Sequence, residues 1–584
     1  MKEFAKLFAQ LDASTSTNNK LHALCQYFEN APADDAAWAV YFLAGGKPKR
    51  TVPTATLREV ALRESGLPAW LFEESYQAVG DLAETIAHVL PLPRQTETTV
   101  QHGLAWWMQE RILPLRSLAD EDRIAAVQRC WQILQPNERF LFVKLVGGGF
   151  RVGVSKLLLT RALATLAKLD AKLVATRMMG YTDASAVPTP QQYLALIEPP
   201  VDGSGLHAPA RLGQPQPFFL AHPLQQAPDS LGDLHHWLVE WKYDGIRAQV
   251  VKDDGQVWIW SRGEELVSEQ FPELQHALAA LPDGSTLDGE VLVWPLGSEA
   301  PAGFNALQGR LNRKVVSKKL MADSPVVFMA YDLLRWQGQL QTLHPQHERR
   351  TLLEQCVGLC APQAEFTGMQ RLRLSPLVLA SSWSALHTLQ AQSRELGVEG
   401  FMLKHRDSRY GVGRTKVDGL WWKWKIDPMT IDCVLVYAQR GHGRRASLYT
   451  DYTFAVWERA PQNAQEAHAV AQAIAKGESV EDSTAKGLPR LVPFAKAYSG
   501  LTDEEFKHVD REIRKHTVNK FGPVRTVVPT LVFELGFEAI ARSNRHKSGV
   551  AVRFPRMLRI RHDKPLHQAD TLAQLESLLP THTP

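Results

Sequence analysis

The sequence predicts a multidomain protein: an all-α N-terminal domain over residues 1–205, an α+β domain over 206–427 and a C-terminal β-barrel of the OB-fold kind over 428–584. Three observations carry this. The chain has 584 residues, several times the ~150 of a usual domain. Its hydrophobic patterning changes texture twice. A stretch rich in Pro and Gly with no apolar period, PPVDGSGLHAPARLGQPQ, reads as a linker at about 200–217.

Up to about residue 200, segments such as DLAETIAHVL, DRIAAVQRCWQIL and VSKLLLTRALATLAKL repeat apolar residues at spacings of three and four, the period of a helix face. KLVGGGFRVGVSKLLL interrupts them with a glycine-rich turn around Arg151, where backbone can approach a phosphate closely. From about 218, short aromatic and β-branched runs bounded by Gly, Asp or Pro are strand signals, among them HWLVEWKYDGIRAQVV, STLDGEVLVW, PVVFMAYDLLRW and GLWWKWKI. Helical segments (FPELQHALAAL, HERRTLLEQCVGL) lie between them, so mostly antiparallel sheets are expected. After Pro428, CVLVYAQ, SLYTDYTFAVWE and RTVVPTLVFELGF suit a small barrel with a helical insert near 463–477 and 502–516.

Composition narrows the class. Hydrophobic residues are 45% and charged residues 22%, too apolar for a disordered chain. No run of ~18 apolar residues exists to cross a membrane, and the first residues, MKEFAKLFAQLDAST, lack the apolar core of a secretory signal. The cysteines at 25, 130, 356, 360 and 433 are odd in number and scattered, which fits neither a zinc module nor a disulfide framework and suits a reducing cytoplasm. Net charge is only +4, but 140–168 contains no acid, and 541–564 holds eight Lys or Arg against Asp563 alone. Local basic surfaces on a near-neutral chain suit a polyanion-binding enzyme.

The chemistry concentrates in Lys242-Tyr243-Asp244-Gly245-Ile246-Arg247 at the end of an apolar strand. Glu240 lies two residues earlier and so shares the face of Lys242. Ser261-Arg262-Gly263-Glu264, Leu287-Asp288-Gly289-Glu290, Phe328-Met329-Ala330-Tyr331-Asp332, Glu399-Gly400-Phe401-Met402-Leu403-Lys404, Trp422-Lys423-Trp424-Lys425 and Arg553-Phe554-Pro555-Arg556 follow in order. Lys423 and Lys425 alternate with two tryptophans, which puts both cations on one sheet face and the indoles on the other. Two lysines so placed call for an anion between them.

This ordered set resembles the covalent nucleotidyltransferase superfamily: DNA ligases, RNA ligases and mRNA capping enzymes. QPQPFFLAHPL before the lysine, FNALQGRLNRK, the ending AVRFPRMLRIRHDKP and the helical ERFLFVKLVGGGFRVGVS resemble ATP-dependent DNA ligases of the replicative eukaryotic and archaeal type, in a bacterial or archaeal setting. The resemblance makes the middle domain an adenylation domain and implies ATP as cosubstrate, Mg²⁺ or Mn²⁺ as metal, and a nick in duplex DNA as substrate. A monomer encircling the duplex in the cytoplasm, associated with the nucleoid, is the expected working form.

It also implies roles. Lys242 is the nucleophile that takes AMP. Only about one lysine amine in a thousand is neutral near neutral pH, so surrounding cations (Arg247, Lys404, Lys423, Lys425) and a metal are expected to favour the attacking form. Glu240 accepts from the adenine amino group. Arg247 and Arg262 hold ribose and the AMP phosphate. Tyr331 stacks on adenine, and Phe401 covers the other side. Glu399 binds metal; Glu290 meets the ribose or a metal-bound water, with Asp288 the alternative ligand. Lys423 and Lys425 face phosphate. Arg556 and Lys564 orient the pyrophosphate leaving group. Arg151, Arg310, Arg313 and Lys314 contact DNA. The competing expectations are an RNA ligase or capping guanylyltransferase, and a DNA-clamping protein without catalysis.

Overall fold

The computed structural model describes residues 1–14, 16–47, 50–93, 102–150, 153–182, 187–199, 212–311, 313, 316–366, 368–441, 448–479, 487–521 and 524–579. Arg151 and Lys314 lie outside the described residues. The chain forms two compact units: residues 1–53, 95–126 and 144–426, and residues 54–94, 127–143 and 427–584. The N-terminal helices therefore do not stand as one body. Those at Thr54–Ser65, Ala69–Val79 and Leu82–Val89 belong with the C-terminal domain. There Glu74 pairs with Lys520 at 2.8 Å, and the Gln77 carbonyl accepts from Arg440 at 3.4 Å.

In the first unit, Ser155 caps the helix Lys156–Ala167 by accepting from the Leu158 amide, and Lys168 ends it in the left-handed conformation. The expected linker is packed at its C-terminal end, because residues 213–217 are buried. Gly213 lies so close to the Trp258 indole that a Cβ would fall 2.4 Å from the ring, and its φ is +70°. Gln214 donates to the carbonyls of Thr176 and Met179 at 2.8 Å each, and the Gln216 amide donates to Gln249 at 2.7 Å. Pro and Gly here suppress a period without exposing the segment; Gln249 satisfies the Gln216 amide, and Gln214 ties the segment to the carbonyls of Thr176 and Met179.

The adenylation domain has two large sheets among the described residues, besides a short ribbon of Glu365–Phe366 with Met369–Gln370. In the first, β1 (His222–Pro223) runs parallel to β9 (Trp421–Lys425), which pairs antiparallel with β8 (Val398–His405), which pairs antiparallel with β2 (Trp237–Tyr243). The second has the order β7 (Leu372–Leu374), β6 (Val326–Trp336), β5 (Ser285–Val293), β3 (Ile246–Asp253), β4 (Gln256–Ser261), antiparallel except for β7 with β6. Val250, Ile259, Leu287 and Leu333 from this sheet bury against Phe271, Leu274 and, from the helix Gln346–Cys360, Leu353 and Cys356. Each of the five cysteines is a free thiol, and Cys356 and Cys360 serve this core.

Arg310 corrects the expectation that Arg310, Arg313 and Lys314 of FNALQGRLNRK all contact DNA. Its side chain is fully buried on the helix Asn305–Leu311. It makes two bonds to the Glu273 carboxylate at 2.5 and 2.8 Å, donates to the carbonyls of Gln270 and Ser324, and lies 5.2 Å from the Phe271 ring centre. Arg313, three residues on, is exposed. Breaking one side of a buried pair strands the other charge, so Arg310→Ala should destabilise the fold by about 3–5 kcal/mol. Denaturant titration checks this; unchanged stability with weakened nick binding would return Arg310 to the DNA.

The C-terminal domain is sheet-rich. β10 (Met429–Arg440) pairs with β11 (Tyr449–Trp457), which pairs with β12 (Leu491–Ala497); on its other side β10 meets β14 (Val524–Val527), which pairs with β13 (Thr517–Phe521). β15 (Val532–Phe537) also joins β10 and carries β18 (Arg556–Ile560), while β16 (Ala539–Arg542) and β17 (Val550–Arg553) form a separate hairpin. Among the described residues no ladder closes this sheet on itself. The helices Ala464–Ala475 and Asp503–His516 occupy the expected insert, the second opened by a Thr502/Glu505 capping box.

Candidate active site

β2 has two faces. Val239 and Trp241 join Trp237, Phe401 and Leu403 in an apolar cluster, with Trp422 and Trp424 of β9 packed against it. Phe401 lies 4.6 Å from Trp241, ring centre to ring centre, and is fully buried there. It therefore turns away from Lys242 and does not cover a nucleotide pocket; Met402, next along β8, takes the other face and packs with Phe219, Tyr410 and Trp421.

On that polar face the Lys242 ammonium is paired with the Glu399 carboxylate, and Lys425 reaches the same oxygen at 3.2 Å. Burial works against the charged form of Glu399, but Lys242 and Lys425 outweigh it and hold the carboxyl below its ordinary range. Glu399 thus supplies an anion to Lys242 and Lys425 from within the chain, a different pair from the Lys423 and Lys425 that strand alternation singles out. Lys423 is held below the usual ammonium range by burial and by the neighbouring Lys425 and Lys242.

Glu290 stands opposite Arg247 across the β3–β5 pair. Burial pushes its carboxyl up to about 8, against the pull of Lys242 and Arg247 and with Asp288 and Asp244 adding to the rise. Asp288 is closed to a metal: it is buried, accepts from Arg247 at 2.7 and 3.2 Å, and accepts from the Tyr410 hydroxyl at 2.5 Å. Arg247 also donates to the Phe219 carbonyl at 2.7 Å, which fixes its plane beside Tyr331, 5.9 Å from the ring centre. Burial raises the Tyr331 hydroxyl well above the phenol range, so this ring is a neutral aromatic surface.

Glu240 and Lys404, both 1% exposed, form a buried pair. Lys404 donates to each Glu240 oxygen and to the Tyr331 carbonyl, all at 3.1 Å. Its ammonium is therefore spent on this side of the pocket and is not one of the cations around Lys242. The Ser375 hydroxyl donates to Glu240 at 3.2 Å.

Arg262 is exposed in the turn after β4, where Glu264, at φ +62°, pairs with Lys156 from the helical region. That pairing removes Lys156 from the free basic run at 140–168. In the second unit, Arg556 opens β18 and lies 3.7 Å from Glu538. Lys564 is tied to Asp432 at 2.6 Å, and Arg561 to the same carboxylate at 2.8 Å. Of the expected leaving-group cations, Lys564 thus already serves as an internal tie.

Among the described residues no group of three or more His, Cys, Asp or Glu converges to hold a metal. Glu399 and Glu290, both within the electrostatic reach of Lys242, supply one ionised carboxylate and one buried carboxyl that the charge of a bound cation would ionise. That suits a cation like Mg²⁺, which arrives with phosphate oxygens and waters as its other ligands.

Family models match along the chain: the DNA ligase N terminus over residues 1–164, the ATP-dependent DNA ligase domain over 218–425 and the ATP-dependent DNA ligase C-terminal region over 481–564. A probable DNA ligase of Koribacter versatilis is 31% identical over 600 residues, covering 99% of this chain and 96% of its own. The chain belongs to the ATP-dependent DNA ligases. The DNA ligase of Thermococcus fumicolans is 26% identical, covering 99% of this chain and 97% of its own. The solved structure of Pmar-Lig_Pre shares the fold at a TM-score of 0.57 and 14% identity, covering 96% of this chain and 99% of its own.

The ligase has pocket residues with no sequence signal in a motif. Ser375, Arg350 and Tyr410 reach the site from outside the recognised blocks, through contacts with Glu240, Asp288 and Arg247. Asp332, inside a block, shapes the site indirectly: it holds Arg349 at 2.8 and 2.9 Å and so fixes the strand beside Tyr331. No helix among the described residues is long and apolar enough to cross a membrane.

Proposed function

We propose that this ligase seals 3′-OH/5′-phosphate nicks in duplex DNA through AMP carried on Lys242. The observation that carries the reading is the Lys242–Glu399–Lys425 cluster near the C-terminal end of β2. The Lys242 ammonium gives a proton to solvent, the free amine attacks the α-phosphorus of ATP, a P–N bond forms, the bond from the α-phosphorus to the bridging oxygen breaks, and pyrophosphate leaves. AMP then passes to the DNA 5′-phosphate and is displaced by the 3′-OH. Lys423 and Lys425 bear the phosphate charge, Arg247 and Arg262 hold ribose and phosphate, Glu240 accepts from the adenine amino group and Tyr331 stacks on the base. Glu399, with Glu290, would hold Mg²⁺ or Mn²⁺, whose charge would neutralise phosphate oxygens and sharpen the electrophile. Arg556 turns the pyrophosphate away from the amine during an in-line displacement.

The C-terminal domain works as an OB-fold module, and the protein acts as a monomer around the nick, at the nucleoid. The match of residues 1–164 to a DNA ligase N terminus supports DNA over RNA as substrate. Incubation with [α-³²P]ATP and a nicked duplex tests the reading: label should appear first on protein and then on DNA. DNA is gripped through phosphates, with Arg151, Arg313 and Lys314 among the contacts. Arg313→Ala should weaken nick binding a few-fold and reduce the salt slope by about 1; an unchanged slope would remove Arg313 from the interface.

A further inference from the structure

We infer that Lys404 and Ser375 are positioning residues that set the nucleobase choice by aiming the Glu240 carboxylate. The inference rests on the proposed contact between Glu240 and adenine and deepens it.

A carboxylate offers about four acceptor sites, two on each oxygen. Lys404 takes one on Oε1 and one on Oε2, and the Ser375 hydroxyl takes a second on Oε2. The Arg350 guanidinium is 3.6 Å from Oε1, an ion pair beyond hydrogen-bond length. One acceptor site remains, on Oε1. Adenine presents an amino donor at the corresponding edge and guanine a carbonyl acceptor, so a lone pair fixed in one place accepts the first and repels the second.

Lys404 is built for this task. An ammonium has three donors, and all three are used: two on Glu240 and one on the Tyr331 carbonyl. It also sits 4.6 Å from the Tyr331 ring centre and 4.7 Å from that of Trp421. It thereby ties β8 and Glu240 of the first sheet to Tyr331 of the second, the two residues assigned to the base. Ser375 is held in turn, its amide donating to the Ala330 carbonyl and its own carbonyl accepting from Arg350, each at 2.8 Å. Without Lys404, the Arg350 guanidinium, 3.6 Å from Oε1, is the cation left beside Glu240, and the carboxylate turns toward it.

The experiment is self-adenylation or self-guanylation of the full chain by [α-³²P]ATP and [α-³²P]GTP, without DNA, over a range of nucleotide concentrations. Lys404→Met should raise the KM for ATP more than it lowers kcat, and the ATP-to-GTP ratio of kcat/KM should fall by about ten- to a hundredfold. Ser375→Ala should move the same ratio the same way by about two- to fivefold. If Lys404→Met slows both nucleotides by one factor and leaves the ratio unchanged, Lys404 only packs and the inference is wrong. If Lys404→Met does not fold, as judged by its thermal transition, Ser375→Ala decides alone, and an unmoved ratio overturns the inference. Failure of the underlying assignment looks different: Glu240→Ala itself would then leave the ratio at the parent value.

Discussion

Lys242→Ala should transfer no measurable AMP from ATP to protein and should seal no plain nick. No other amine can substitute. The side chains nearest in chemistry, Lys423 and Lys425, leave β9 rather than the end of β2, and in-line attack tolerates displacements of well under 1 Å before rates fall by orders of magnitude. A nick already carrying 5′-adenylate bypasses the covalent step, so the variant should still seal it, at least in part. Measuring both substrates side by side separates a lost nucleophile from a lost fold. Labelling of the variant at the parent rate would end the assignment.

Glu399→Ala should be the second most damaging change, lowering adenylation and sealing by about a hundredfold or more with nick affinity shifted only a few-fold. The carboxylate has two functions to lose. It is proposed to hold the metal, and it already balances Lys242 and Lys425. Removing it leaves two ammonium groups facing each other with Lys423 nearby, so the lysine pair should splay or recruit a buffer anion. Raising Mg²⁺ should not restore activity, whereas Glu399→Asp, which keeps a charge one methylene shorter, should recover part of it with Mn²⁺. Normal turnover of Glu399→Ala at limiting Mg²⁺ would show that the metal is held elsewhere.

Much of the site was legible because it is written on strands. Alternation alone put Glu240 with Lys242 and separated Lys423 and Lys425 from Trp422 and Trp424; the indoles do pack into the cluster around Phe401. What escaped was non-local. Arg310 looked like one more cation in a basic loop, since its partner Glu273 lies 37 residues earlier. Phe401 reads as a pocket wall in the sequence, and only the pairing of β8 with β2, which sets Phe401 beside Trp241 and Met402 beside Glu240, turns it away from Lys242. Lys404 has a cation's sequence and a structural post's environment. Tyr410 and Ser375 carry no pattern at all, because a single hydroxyl placed by tertiary packing leaves no period and no spacing. The linker expected near 200–217 was read from composition, which reports the absence of a regular element, not exposure; Gln214 and Gln216 show the difference.

The division of the N-terminal helices has a consequence for how this molecule can be taken apart. The polypeptide passes from one compact unit to the other five times, at residues 53/54, 94/95, 126/127, 143/144 and 426/427. A part attached by one tether can be lost, swapped or expressed alone. Parts joined by several crossings cannot be separated at one point: a cut near residue 200 leaves residues 54–94 and 127–143 on a different piece from residues 427–584, with which they share a unit. Fragment design must therefore keep residues 54–94 and 127–143 with residues 427–584.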